Sequence, residues 1–76
     1  MDPNAMKMLA IGLTAGLGLL GPGLGIGMIG FSALQGISRN PEASGKILTN
    51  MILVTAFCEA IGIYALIVAI ILAFVA

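Results

Sequence analysis

Two long stretches without a charge constrain this chain more than anything else in it. Residues 8–38 contain no charge in thirty-one positions, and residues 47–76 contain only Glu59 in thirty. Crossing the ~30 Å hydrocarbon layer of a bilayer takes about 20 apolar residues in a helix. Both stretches exceed that length. Lipid offers no partner to open backbone, so each is expected to cross as an α-helix. At about 1.5 Å per residue, each reaches roughly 45 Å and projects beyond the membrane. Composition excludes a soluble domain: 61% of the 76 residues are apolar and 8% charged, where about a quarter charged is usual.

Residues 39–46 collect all the mid-chain charge except Glu59: Arg39, Glu42 and Lys46. Asn40-Pro41 is a turn signal, because the residue before a proline is pushed out of the helical region. The predicted fold is an all-α membrane protein, a two-transmembrane-helix hairpin forming one unit over residues 1–76. Its parts are a first span at 8–38, a polar loop at 39–46 and a second span at 47–76. Both termini then lie on the side opposite the loop. Arg39 and Lys46 face Lys7 and the amino terminus across the membrane, and the positive-inside rule assigns the loop to the cytoplasm. A cleaved leader is not expected, since the first run is too long and a single Lys precedes it.

Three acids balance three bases, and there is no His. A polybasic surface for nucleic acid is therefore excluded, and so is a His-based metal or acid–base site. The lone Cys58 cannot form a disulfide within the chain. Apolar burial makes a thiol inert, so Cys58 is expected to be a small packing residue.

The eleven glycines are about twice the usual share, and seven fall between Gly16 and Gly30. Gly21-Pro22-Gly23-Leu24-Gly25-Ile26-Gly27 superficially resembles a dinucleotide loop, but no strand precedes it and it lies inside an apolar span. Plotted at 100° per residue, Gly12, Gly16, Gly23, Gly27 and Gly30 fall on one narrow stripe. Gly18, Gly21 and Gly25 fall on a second, roughly opposite. Small residues let membrane helices approach closely, and two opposed stripes predict close neighbours on both sides. For identical subunits that is the geometry of a closed ring. The general abundance of glycine in membrane helices does not predict two stripes. Pro22 removes one backbone hydrogen bond within this run. Folding the hairpin about residues 40–43 brings Pro22 to Ile26 near the depth of Glu59.

Glu59 stands some twelve residues into the second span, at a cost of about 2.5–3.5 kcal/mol on insertion scales. Removed from water a carboxyl favours its neutral form, and an opposing cation favours the ionised one. A carboxyl with these two states is a proton carrier. The plainer alternative is a protonated carboxyl that only hydrogen-bonds a neighbouring helix. No Lys or Arg of this chain lies at its depth, so a partner cation must come from another protein. Thr55, Ala56, Gly62 and Ile63 share its helical face. Phe57, Ala60, Ile61 and Tyr64 point to another side, where a neighbouring subunit's Glu59 could lie. Sodium wants several oxygen ligands, which Ile26, Ala60 and Ile61 do not offer. A proton needs the carboxyl and one hydrogen-bond partner, for which Tyr64 is the candidate.

Over essentially its whole length the chain resembles the proteolipid, or c subunit, of the rotary F-type ATP synthase. The resemblance rests on Gly21-Pro22-Gly23-Leu24-Gly25-Ile26-Gly27, on Arg39-Asn40-Pro41, and on Glu59 twenty positions after Arg39. It implies a closed homo-oligomeric ring in lipid, with glycine-rich helices inside, where Gly16, Gly18, Gly21, Gly23, Gly25, Gly27 and Gly30 pack, and acid-bearing helices outside. It implies that Glu59 takes up and releases the transported ion beside the stator a subunit, whose arginine supplies the missing cation. Arg39, Asn40 and Pro41 would contact the central-stalk subunits below the catalytic head. The chain would be a non-catalytic subunit without a nucleotide site, metal or cofactor, in the bacterial plasma membrane. Sodium-transporting members place a Gln at the position of Ile26 and hydroxyl residues at Ala60 and Ile61; only Tyr64 matches their pattern. The expected ion is therefore H+. A sodium ring, or a structural or pore-forming oligomer assembled by its glycines, are the alternatives. Many members have Arg-Gln-Pro where this chain has Arg-Asn-Pro.

Overall fold

The computed structural model describes residues 2–75, which form two antiparallel helices joined by one 3-10 turn. These are α1 (Pro3–Arg39), the turn Pro41–Ala43, and α2 (Ser44–Phe74). Local chemistry sets the ends of α1. Asp2 has extended backbone, and its Oδ1 accepts the Ala5 N–H at 2.7 Å. Pro3 follows at the first helical position, where its missing N–H costs nothing. The side-chain cap is worth about 1 kcal/mol. At the other end Asn40 leaves the helical region (φ −135°, ψ 76°), as a residue before proline must. Its N–H still reaches back to the Gly36 carbonyl at 2.9 Å, and Ala43 N–H closes the turn on the Asn40 carbonyl at 2.9 Å.

The helices outrun the expected spans. Lys7, Arg39 and Lys46 all lie within helix, and the connection narrows from residues 39–46 to Asn40 and the single turn after it. The physical reason is that charge limits how much of a helix can enter lipid, whereas caps and Pro41 limit the helix itself. Helix α1 also runs unbroken through Pro22.

The two helices meet along a line of glycines. A Cβ built on Gly18 would lie 2.5 Å from the Ala65 Cβ, one on Gly25 would lie 2.9 Å from the Cys58 Sγ, and one on Gly36 would lie 3.1 Å from the Ile47 Cδ1. Each pair is placed symmetrically about the Pro41–Glu42 bond, so one register holds over the whole hairpin. Gly18 and Gly36 are eighteen residues apart, five turns of an ideal helix, so both fall on the same line of α1. From the other side, a Cβ on Gly62 would meet Leu19 at 3.3 Å and Pro22 at 3.4 Å.

Among the described residues, only small or compact ones are buried: Pro22, Ala33, Gly62 and Ala69. The large apolar side chains point outward, with Met28, Phe57 and Phe74 at 70%, 68% and 84% exposure. Accessible surface totals 5585 Å², against about 4,300 Å² for a globular protein of this mass. A 58 Å rod with such a surface is unsuited to water. Both helices are long and apolar enough to cross a membrane, with mean hydropathies of 1.7 and 2.5 over their most apolar stretches.

Candidate functional site

Glu59 is the central residue of α2, fifteen positions from Ser44 and fifteen from Phe74. Cys58 and Gly62 lie on the seam with α1, and a 100° step turns Glu59 to the edge of that seam. There it faces a shallow, open pocket of about 230 Å³. Leu19, Pro22, Gly23 and Ile26 form the α1 wall; Gly62, Ile63 and Leu66 complete it from α2. The fold thus places Pro22 to Ile26 at the depth of Glu59, as hairpin symmetry predicts. Every lining side chain other than Glu59 is apolar.

Gly62 and Ile63 join Glu59 in this pocket, whereas Thr55 and Ala56 do not line it. Phe57, Ile61 and Tyr64 are exposed on another side of α2, at 68%, 62% and 69%. Within one chain, Tyr64 therefore does not meet Glu59. In the hairpin register, Lys46, the nearest Lys or Arg along the helix axis, is thirteen residues from Glu59, about 20 Å of helix. No group of three or more His, Cys, Asp or Glu that could hold a metal occurs among the described residues. The other edge of the seam carries a larger groove of about 550 Å³ toward the turn, with Ser32, Asn50 and Met51 among its walls. Glu59 takes no part in it.

The two glycine stripes separate in the structure. Gly12, Gly16, Gly23, Gly27 and Gly30 have nothing within 4 Å of where a Cβ would stand. This stripe is open along its length, and Gly23 carries it into the Glu59 pocket. The second stripe divides: Gly18 and Gly25 pack against the chain's own α2, while Gly21 stays open. The hairpin turns α2 back over that face at those two positions. Gly36 and Gly62 complete the seam. Gly36 was detectable from sequence, five turns from Gly18 on the same line. Gly62 was not, because its role depends on which face of α2 meets α1.

At the tip, Arg39 ends α1, Asn40 caps it and Pro41 opens the turn, all three exposed.

Fold and site together define a small membrane-embedded hairpin with one acid at mid-span. The family model for the ATP synthase C subunit matches residues 9–72. The c subunit of an ATP synthase from Dehalococcoides mccartyi is 58% identical over the full length of both chains. Its counterpart from a Synechococcus is 47% identical, over 97% of this chain and 94% of its own. Another from Prochlorococcus marinus is 48% identical, over 93% and 88%. The chain belongs to the ATP synthase C-subunit family.

Proposed function

We propose that this chain is the proton-carrying rotor subunit of the membrane sector of an F-type ATP synthase. The observation that carries the proposal is a lone carboxyl at the centre of α2, in a pocket whose other walls are all apolar. Such a pocket offers no side-chain oxygen besides the carboxylate's own, so it suits a proton better than a hard cation that needs several ligands. Copies close into a ring. The open stripe of Gly12, Gly16, Gly23, Gly27 and Gly30 meets the next copy, while Gly18 and Gly25 hold each hairpin together. Tyr64 reaches a carboxyl only across that boundary between copies.

The carrier cycle has two states. A proton arriving through one half-channel converts the Glu59 carboxylate to the neutral acid, which can face lipid as the ring turns. On meeting the cation of the stator a subunit, the acid loses its proton to the other half-channel. Each transfer draws about 2.3 kcal/mol per 100 mV of membrane potential, so several must accumulate for one ATP. The ATP chemistry belongs to the catalytic head. Torque passes through the tip, where Arg39, Asn40 and Pro41 meet the central stalk. The site needs no resident metal or cofactor. We place the turn on the cytoplasmic side of the bacterial plasma membrane and both termini opposite, from the balance of Arg39 and Lys46 against Lys7.

Glu59→Gln removes the titrating group and keeps the shape. The expected result is an assembled ring that pumps no protons when driven by ATP. Surviving proton flux would refute the carrier role. Carbodiimide modification of Glu59 at fixed pH distinguishes the ion: protection by sodium overturns the assignment to protons.

A further inference from the structure

Pro22 is the weak point of α1. It has no N–H, so the Gly18 carbonyl one turn earlier loses its partner within the helix, and membrane helices bend at such places. Two residues flanking the acid engage this point from α2. The Cys58 S–H donates to the Pro22 carbonyl at 3.5 Å, the only side-chain hydrogen bond between the helices among the described residues. Its sulfur fills the space that a Cβ on Gly25 would need, 2.9 Å away. One turn on, the Pro22 ring lies against Gly62, with Cγ 3.4 Å and Cβ 3.5 Å from where a Gly62 Cβ would be. Glu59 stands between these two grips and shares the pocket wall with Pro22.

We propose that Cys58 and Gly62 are positioning residues for Glu59: together they clamp Pro22, with Gly25 making room for the sulfur, and so set the depth and rotation of the acid against α1. This rests on the carrier role of Glu59. The clamp turns a flexible site into a reference point. A helix free to bend at Pro22 would present the carboxyl at varying depth to whatever delivers and removes its proton. It also gives Cys58 a polar task in addition to its packing, and makes the empty position at Gly25 a requirement of that sulfur.

The test follows carbodiimide labelling of Glu59 against pH in membrane vesicles holding the intact enzyme. Four variants are compared with the wild type: Cys58→Ala, Cys58→Ser, Gly25→Ala, and Gly25→Ala with Cys58→Ala. Cys58→Ala is expected to displace the labelling midpoint by about half a pH unit, which is about a threefold change in labelling rate at a fixed pH on the flank of the curve. Cys58→Ser restores a donor and returns the midpoint toward wild type. Gly25→Ala displaces it because the new methyl meets the sulfur, and adding Cys58→Ala moves it back. A purely structural role lowers the amount of ring and leaves the midpoint in place. Curves that superimpose for Cys58→Ala, Cys58→Ser and wild type overturn the clamp, even where Gly25→Ala does not assemble. A wild-type enzyme whose Glu59 labels at no pH overturns the carrier role instead, a result separable because it appears before any substitution is made.

Discussion

Replacing Gly18 by Ala tests whether the glycine seam holds the hairpin together. The new methyl would stand 2.5 Å from the Ala65 Cβ and 3.8 Å from its Cα. Carbon atoms settle at about 3.5–4.0 Å, so the helices must separate or rotate by roughly 1 Å at this level. Neither partner can swing aside, because both atoms are fixed to backbone. A gap of that size forfeits a quarter to a half of the dispersion energy of the facing contacts, and overpacking of this kind costs about 1–3 kcal/mol. Alanine returns about 1 kcal/mol of helix propensity relative to glycine. The expected sum is neutral to about 2 kcal/mol destabilising. The sign alone is therefore a poor test, and a double-mutant cycle with Ala65→Gly is the right one. Ala65→Gly removes the atom that clashes, so the pair should show a coupling of about 1–2 kcal/mol. The assay is the thermal transition of the purified ring, with Gly21→Ala as control, since its Cβ would meet nothing within 4 Å in its own chain. Zero coupling between positions 18 and 65 would refute the seam.

Two further substitutions probe other levels of the structure. Asp2→Ala removes the cap on the Ala5 N–H and should cost about 1 kcal/mol, read as faster amide exchange in the first turn of α1 with proton transport unchanged. Ile26→Gln places an oxygen among the apolar walls of the Glu59 pocket; the expected result is measurable sodium protection of Glu59 against carbodiimide, absent from the wild type, and no protection would mean that one added ligand is too few.

Much of the site was legible in the sequence because membranes simplify the problem. Charge is so costly in lipid that the location of Glu59 and the separation of the two spans follow from counting. Pro41 placed the turn, and symmetry about it brought Pro22 to Ile26 level with the acid. The helix ends were less legible. Lys7, Arg39 and Lys46 looked like boundaries, yet all three are helical, because a charged side chain leaves lipid without leaving the helix. The destination of each glycine was not legible either. The periodicity that groups Gly18 with Gly21 and Gly25 describes one helix and is silent about its neighbour.

By itself the sequence determined that this is a membrane hairpin with a single acid at mid-span. Solvation decides those features residue by residue, and each residue carries its own cost of leaving water. Only the tertiary structure decided which glycine stripe serves the chain itself and which stays open. It also decided that Cys58 and Gly62 meet Pro22. These are matters of rotation about the helix axis, where a step of 100° separates a residue on the seam from one at its edge. Contact between the two helices selects that rotation, and a contact has two partners where the sequence pattern of a helix has one.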